Sequence, residues 1–241
     1  MKKTIKLLAI MSMGAALAMT ACGKDDDNNN GRGTGGNGGG TGTETSEWVD
    51  LGLPSGLLWA TCNLGATTPE GYGDYYAWGE TTTKSTYNWS TYKYCNGGYD
   101  QLTKYCNNSS VGHNGFTDNL TTLEAMDDAA TQKLGDGARM PTEADWEELI
   151  NTTTAEWTTL NGVNGRKFTA SNGKSLFLPA AGCRWDSELT DAGSGFYWSS
   201  SLDADYPNCA RRFGFSSGGQ NMNDGGHRRN GLSVRPVRSA H

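Results

Sequence analysis

The sequence has few of the side chains from which catalytic centres are built. Of its 241 residues, three are histidine: His113, His227 and the terminal His241. It does not contain His-Glu-x-x-His, and Phe168 stands where a phosphate-binding loop ending in Gly173-Lys174-Ser175 would need its first glycine. The chain offers no recognisable nucleophile–base pair, and we therefore expect a protein that is not an enzyme and uses no cofactor.

Motifs for metal binding are also missing. No Cys-x-x-Cys occurs, and neither do the Glu-Pro-Asn, Gln-Pro-Asp and Trp-Asn-Asp sequences of calcium-dependent lectins. Asp127 and Asp128 fit better as acidic residues at the start of a helix than as metal ligands. We therefore predict no metal site.

The cysteines do not form an obvious framework. Five of them follow Cys22, and an odd number leaves at least one thiol unpaired. Cys95 and Cys106 flank a Gly-Gly turn and are the first candidates for a disulfide, although spacing alone does not define the connectivity.

Positive charge is scarce relative to negative charge. Lys and Arg number 20 against 26 Asp and Glu, which gives a net charge of −6. Such a chain repels phosphate backbones, so nucleic acid is excluded as a partner. Beyond the first 20 or so residues no apolar run is long enough to span a bilayer, so we expect membrane contact through the N-terminus only.

The first 21 residues have the pattern of a secretory signal. Three lysines precede an apolar stretch over residues 7–19, which is too short to span a hydrocarbon core of about 30 Å. The sequence Met19-Thr20-Ala21-Cys22 then resembles the lipobox of bacterial lipoproteins. This resemblance implies that residues 1–21 are removed and that Cys22 is acylated. The alternative is an ordinary secretory signal with an unmodified Cys22.

The residues after Cys22 are typical of a tether. Residues 23–27 resemble the Lys-acidic export signal that sends lipoproteins of Bacteroidetes-type bacteria to the outer face of the outer membrane, with a solvated acidic spacer as the alternative. Asn, Gly and Thr then dominate, and such a segment cannot bury enough surface to fold. We expect residues 22–46 to be a flexible linker with a reach of about 25–30 Å, and residues 47–241 to form one globular domain facing the cell exterior.

Hydrophobic patterns and turn residues predict an α+β fold for this domain. The clearest helix has Thr142 as its N-cap, Asp145 completing a capping box, and Trp146, Leu149 and Ile150 on one face. A hairpin is predicted around Asn172-Gly173. Another helix is predicted at 120–134, and other strands at 48–51, 57–60, 196–198, 210–215 and 232–235.

Residues 71–94 are dense in Tyr and Trp. If exposed, these rings would form a platform on which sugars stack. Core packing is the simpler interpretation, and we favour it for residues 75–80 because aromatic side chains usually pack inside a domain.

Short blocks spread along residues 47–238 share one resemblance. They lie at 48–56, 58–63, 75–80, 127–130, 139–142, 177–182, 197–200 and 233–237. In this order they resemble the Fibrobacter succinogenes major paralogous domain family. The resemblance implies a C-type-lectin-like fold, in which two helices lie beside small antiparallel sheets and the N- and C-terminal strands pair.

The block at 139–147 also resembles the formylglycine-generating enzymes, which share that fold. Those enzymes hold copper with a closely spaced pair of cysteines late in the chain. Cys183 and Cys209 are far apart in this sequence, so the resemblance does not extend to their activity.

The polar segment 202–232 is the predicted ligand-binding face. It lies between two of these blocks, and its placement resembles the variable region of receptors diversified by retroelements, with an ordinary set of polar loops as the alternative. We expect Phe213 and Phe215 to face the core, Arg212 to point the other way, and the later residues to lie on loops. The candidate ligand-binding residues are Asp203, Asp205, Tyr206, Asn208, Arg212, Asn221, Asn223, Asp224, His227, Arg229 and Asn230.

Together these features predict a monomeric, lipid-anchored surface protein that binds an extracellular protein or glycan without catalysis. Two alternatives stay open. One is a structural or adhesive subunit of an outer-surface assembly, and the other is an uncharacterised enzyme related to formylglycine-generating proteins.

Overall fold

Small antiparallel sheets account for most of the regular structure. The computed structural model describes residues 47–240, with Asn223 and Asp224 described by their backbone alone. The strands are β1 (Trp48–Asp50), β2 (Leu57–Ala60), β3 (Thr154–Leu160), β4 (Val163–Thr169), β5 (Ser175–Pro179), β6 (Cys183–Trp185), β7 (Glu188–Thr190), β8 (Gly195–Leu202), β9 (Cys209–Ser216), β10 (Gly219–His227) and β11 (Val237–Ser239). The helices are α1 (Ala129–Leu134) and α2 (Glu143–Thr152), with 3-10 turns at Trp89–Thr91, His113–Gly115 and Ala125–Asp127. The predicted signal, Cys22 and the predicted linker lie outside the described residues.

Hydrogen bonds arrange these strands into separate small sheets. Within residues 47–240 the strand orders are β1-β2-β11, β10-β9-β8, β3-β4-β5 and β6-β7, and the paired strands run antiparallel. Two helices beside sheets of this kind confirm the predicted α+β class. In this part of the chain, no helix has the length and apolarity needed to cross a membrane.

The two ends of the domain meet in one sheet. β2 lies between β1, which precedes it directly, and β11, which is the last strand. The buried Arg235 guanidinium locks this junction, because it donates to the carbonyls of Ala60 and Thr61 and to Asn63 Oδ1 at 2.6–3.0 Å. Burial lowers the pKa of Arg235 to about 10, so the group keeps its charge at neutral pH.

The elements with strong local signals form where the sequence predicts them. α2 begins with the expected capping box, in which Thr142 and Asp145 each accept a backbone N–H of the other. Trp146 and Leu149 are buried on its inner face. Asn172-Gly173 forms the turn between β4 and β5, and the strands predicted at 48–51 and 57–60 pair as β1 and β2.

The first predicted helix, 120–134, is much shorter in the structure. α1 is capped by Asp128, whose side chain accepts the Thr131 N–H. The 3-10 turn Ala125–Asp127 precedes it, and the residues before that turn pair with β8 instead of continuing the helix: the Leu123 N–H donates to the Ser200 carbonyl at 2.9 Å. Tertiary pairing overrides helix propensity in this segment.

The segment 219–227 is the largest departure from the predicted secondary structure. Residues expected on loops form β10, which pairs with β9 on both sides of a register shift between Asn221 and Asp224. A Cβ at Gly225 would lie 2.7 Å from Asp203 Oδ2, and one at Gly226 would lie 2.9 Å from the Trp198 ring. These glycines allow the backbone to approach its neighbours closely and do not mark a loop.

The strand predicted at 232–235 is not a strand. Leu232 and Ser233 make isolated bridges to Tyr76 and Tyr197, and regular pairing resumes only in β11. The ladder is interrupted because the stretch changes partner along its length: the Leu64 N–H donates to the Val234 carbonyl and the Ala60 N–H to the Pro236 carbonyl.

Aromatic side chains dominate the two apolar clusters of the core. One cluster contains Trp78, Trp198 and the buried tyrosines of the 75–105 region, which confirms that residues 75–80 pack inside. The other joins Trp146 of α2 to β8 and β9, where its ring stacks on Phe213 with centroids 5.0 Å apart.

Asp127 is a buried carboxylate with four donors. It is held by the ammonium groups of Lys93 and Lys104 at 3.2 and 2.7 Å, and by the hydroxyls of Tyr94 and Tyr105. Burial by itself raises the pKa of Asp127, but these hydrogen bonds outweigh burial and lower the pKa to about 2. The network fastens the 3-10 turn before α1 to the 93–105 loop.

The predicted disulfide is not formed. Cys95 and Cys106 are free thiols. Their sulfurs point to carbonyls of their own loops: Cys95 Sγ donates to the Trp89 carbonyl at 3.0 Å, and Cys106 Sγ to the Asn108 carbonyl at 3.2 Å. The Gly-Gly turn between them therefore does not bring the two sulfurs together.

Candidate functional site

The candidate residues from the sequence differ widely in accessibility. The exposed ones are Asp205, Tyr206, Asn221 and His227, the half-buried ones are Asn208 and Arg212, and the buried ones are Asp203, Arg229 and Asn230. Asn223 and Asp224 belong to β10 and not to a loop. The predicted set is therefore a mixture of framework residues and residues that a ligand can reach.

Asp203 is a buried residue whose side chain holds the backbone of Asp205 and Tyr206 in place. Its Oδ1 accepts the N–H groups of Asp205 and Tyr206 at 3.1 and 3.2 Å, and its Oδ2 lies 3.7 Å from Arg211 Nη1. A turn in which the Asp side chain accepts the N–H groups that follow it has a fixed backbone. In this turn the Tyr206 ring is 67% exposed.

Arg212 points away from the core as strand alternation predicts. Phe213 and Phe215 are buried on the α2 side of β9, whereas the Arg212 guanidinium lies over the Phe196 ring, 4.5 Å from its centroid. The arginine is half-buried, because the β8 residues opposite it carry large aromatic side chains.

The Arg228 side chain is buried beneath the turn after β10 and holds it in place. Its guanidinium is fully buried and donates to the carbonyls of Lys104, Tyr105 and Pro207 and to Tyr92 Oη, all at 2.8–2.9 Å. These bonds tie the turn to the 92–105 loop. The residue is structural, since its donors are occupied by the chain itself.

The next residue, Arg229, is the centre of a different arrangement. Its guanidinium lies against two indoles, with Cζ 4.8 Å from the centroid of the Trp185 ring and 5.8 Å from that of the Trp89 ring. Nη1 reaches the Tyr87 carbonyl at 3.4 Å. We call the group Trp89, Trp185 and Arg229 the arginine slot.

Three separate elements hold the arginine slot in place. Trp89 begins a 3-10 turn, Trp185 ends β6, and Arg229 lies in the turn after β10. Backbone bonds at 2.7–3.1 Å join Tyr87 to Asp186 and Arg184 to Gly231. A Cβ at Gly231 would lie 2.7 Å from the Tyr87 ring, so glycine is needed where the three elements meet.

The electrostatics around the slot are positive. Burial lowers the pKa of His227, and the guanidinium groups of Arg229 and Arg212 lower it further. Burial also lowers the pKa of Arg229, an effect that Asp186 opposes. His227 is thus neutral at pH 7, and two cationic groups converge on a chain whose net charge is −6.

Two polar atoms beside the slot are buried without a hydrogen-bond partner. They are Arg229 Nε and Asn230 Oδ1. Buried polar groups in native proteins nearly always have a partner, and exceptions mark a missing water, ion or functional contact. Both atoms can therefore hydrogen-bond a water or a ligand, as can similar atoms elsewhere among the described residues, such as Arg166 Nε.

A thiol and an imidazole lie next to each other beside the slot. Cys209 and His227 are directly paired across β9 and β10, with Cys209 Sγ 3.6 Å from His227 Nδ1. The Trp89 ring meets His227 edge-on at 6.0 Å between centroids. A neutral imidazole in this position is able to accept a proton from the thiol.

Sequence reasoning placed Arg229 and His227 on the binding face but missed Trp89 and Trp185. Trp89 is half-buried and Trp185 is 50% exposed. Both lie far from 202–232 in the sequence, so no local pattern connects them with Arg229. The useful signal for Trp89 was the density of aromatic residues in 71–94, which also allowed an exposed platform.

Among the side chains that the structure describes, no group of three or more His, Cys, Asp or Glu residues is arranged to hold a metal ion. Comparison with protein-family models, with curated proteins and with solved structures gives no match to this chain.

Proposed function

We propose that the protein is a lipid-anchored surface protein whose domain binds a ligand without catalysis. The observation that carries this proposal is the convergence of aromatic and basic side chains from four segments: the exposed Trp185, Tyr206 and His227, the half-buried Trp89 and the mostly buried Arg229. We call these five residues the binding face. Trp, Tyr and Arg supply most of the binding energy at protein surfaces.

The rigidity of the binding face supports this proposal. Trp and Tyr present large contact areas at little cost in conformational entropy. Asp203 and Arg228 fix the backbone on which Tyr206 and Arg229 stand. A face that is already ordered loses little entropy on binding, which favours affinity.

The proposed fold is C-type-lectin-like, as in the Fibrobacter succinogenes major paralogous domain family. Its support is the position of β2 between the first and last strands, together with two helices beside small antiparallel sheets. Residues 197–200 and 233–237, two of the blocks on which the resemblance rests, flank the segment that supplies most of the binding face.

The proposal is tested by a glycan and protein array with the full-length protein in detergent. A triple variant, Trp185→Ala, Tyr206→Ala and His227→Ala, should lose binding to every ligand that the array finds. Because these side chains are exposed, each change should alter the unfolding free energy by about 0.5 kcal/mol or less. Asn230 is left intact because it is buried.

A matched control removes similar side chains elsewhere on the surface. Tyr72→Ala, Tyr99→Ala and His113→Ala together should bind like the wild type, since Tyr72 and Tyr99 are also exposed. If the control and the triple variant bind equally well, the binding face is assigned to the wrong residues.

An adhesive or structural subunit is the second candidate, because β10 lies at the edge of its sheet. An edge strand offers backbone groups to another chain. Sedimentation of the full-length protein in detergent distinguishes the two: a receptor should be monomeric, whereas a subunit should associate and lose association when proline replaces Asn221 in β10.

The Cys209–His227 contact favours the enzyme alternative. In that case Cys209 should be alkylated faster than Cys95, which is also half-buried, and His227→Ala should slow the alkylation of Cys209 alone. Site-resolved mass spectrometry after limited iodoacetamide treatment measures both rates. Equal rates at the two thiols exclude an activated nucleophile.

A further inference from the structure

Arg229 has guanidinium donors that make no hydrogen bond with the described residues. Its contacts with the described residues are the two indoles and one 3.4 Å bond from Nη1 to the Tyr87 carbonyl. Nε is buried and unpaired, whereas Nη2 makes no hydrogen bond and is not among the buried unpaired atoms, so it reaches solvent. Arg229 is only 9% exposed, but its Nη2 reaches solvent without a hydrogen bond and is able to receive an acceptor.

A second arginine shows the contrast. Arg238 also lies over an indole, 4.7 Å from the Trp48 ring, but its Nη1 is paired with Asp136 Oδ2 at 2.7 Å. Asp186, the carboxylate that acts on Arg229 electrostatically, instead accepts a hydrogen bond from Asn88 Nδ2 at 2.9 Å. Nε of Arg238 is buried without a partner just as Nε of Arg229 is, so the two arginines differ in the ion pair. Among the described residues Arg229 makes none, and Asp186 acts on it only electrostatically.

The geometry of a guanidinium selects the acceptor. Arg presents a planar fork that pairs with a carboxylate through two parallel hydrogen bonds. The guanidinium groups of Arg229 and Arg212 both act electrostatically on the neighbouring His227, so two positive groups near this point favour an anion over a neutral group. The ligand should therefore carry a carboxylate at the point where it meets the slot.

The residues around the Arg229 guanidinium indicate what the ligand carries besides its carboxylate. Trp185 offers a flat, half-exposed apolar ring directly beside the guanidinium, which suits the apolar face of a sugar ring. Asn230 Oδ1 has no partner, and Asn208 is half-buried next to Arg228. Amide groups of this kind exchange hydrogen bonds with hydroxyls, whereas the centre of a protein–protein contact is mostly apolar.

We infer that the arginine slot is a subsite for a carboxylated sugar, such as the uronic acid units of an acidic polysaccharide. The carboxylate pairs with the Arg229 fork and the sugar ring lies against Trp185. This inference rests on the proposed function and adds the chemical class of the ligand to it.

The test is calorimetric titration of the full-length protein in detergent with a short oligogalacturonate. Its methyl ester, which has the same rings without the charge, is the matched ligand. The free acid should bind at least about tenfold more tightly than the ester, a difference of about 1.4 kcal/mol, and the preference should weaken at high salt.

Two variants locate the effect. Arg229→Lys keeps a positive charge but loses the fork, and should lower the affinity for the free acid at least about tenfold while leaving the weaker binding of the ester unchanged. Arg238→Lys, the matched control at the other indole, should change neither affinity. A circular dichroism melt of each variant shows that the fold is retained.

Equal binding of acid and ester, or unchanged binding by Arg229→Lys, overturns the carboxylate subsite. Binding of an oligoglutamate peptide in place of the saccharide overturns the sugar assignment. Either result leaves the binding face intact if the triple variant still loses its array ligand. Only a triple variant that binds like the wild type contradicts the proposed function itself.

Discussion

Arg228 and Arg229 are adjacent in the chain but have opposite surroundings. The donors of Arg228 are satisfied by backbone carbonyls and a tyrosine hydroxyl, whereas Arg229 has one long hydrogen bond and an unpaired Nε. Residue type alone does not separate the two. The difference arises because the turn after β10 directs one side chain inward and the other against Trp89 and Trp185.

Substitution by methionine should separate the two roles. Arg228→Met leaves three buried carbonyls without their donor and should lower the unfolding free energy by about 3 kcal/mol or more. Arg229→Met should change it by about 1 kcal/mol or less, because little is lost from the chain itself. Urea unfolding followed by tryptophan fluorescence measures both, and equal losses would mean that Arg229 is also structural.

Asp127 gives the protein an acid-dependent contribution to stability. Its pKa in the folded protein is about 2, below the ordinary value of 3.8. A carboxylate with a lowered folded pKa stabilises the fold above its unfolded pKa, and this stability is lost as the pH falls towards 2. The size of the shift corresponds to about 2 kcal/mol.

The variant Asp127→Asn should therefore have a lower unfolding free energy than the wild type at pH 6. The difference between the two unfolding free energies should shrink by about 2 kcal/mol on going to pH 2. Urea midpoints measured between those pH values test this. Glu147→Gln, a change at an exposed residue of α2, is the control and should follow the wild type. A gap that stays constant with pH would show that the Asp127 charge does not matter.

At the scale of elements, the packing of α2 on β9 is the central contact of one core cluster. Phe213 is fully buried between Trp146 and Phe168, with ring centroids 5.0 and 5.9 Å away. Phe213→Ala should lower the unfolding free energy by about 3–5 kcal/mol, because it leaves a cavity that the neighbouring rings of Trp146 and Phe168 cannot move to fill. Phe116→Ala, at an exposed ring, should cost far less in the same thermal melt.

The elements that the sequence predicts correctly carry their own signals. Thr142 and Asp145 cap α2 within four residues, and Asn172-Gly173 turns the β4–β5 hairpin by itself. β10 was missed because its polar and glycine residues are held by pairing with β9. Residues 120–124 were assigned to a helix because the competing partner, β8, is distant in sequence.

The candidate site was also predicted only where the sequence carries a local signal. Residues 202–232 contain Tyr206, His227 and Arg229, so composition alone found part of the binding face. It did not find Trp89 and Trp185, which reach the site from other elements, and it included the buried Asp203 and Asn230. Burial of a polar residue depends on tertiary neighbours that a single sequence does not reveal.

At the scale of the whole molecule, the lipid anchor is the prediction with the most direct test. Cys22→Ser should move the protein from the membrane fraction to the soluble fraction, because a lipid chain is needed to hold it there. Metabolic labelling with a fatty acid should mark the wild type only. A Cys22→Ser protein that stays in the membrane pellet and keeps its label would contradict the anchor.

The β1-β2-β11 sheet joins segments that are far apart in the sequence. β2 pairs with β11, and Arg235 reaches Asn63 and Ala60 across sequence separations of 172 and 175 residues. Contacts between residues so far apart in sequence form slowly. We therefore expect the closure of this sheet to be a late step in the folding of the domain.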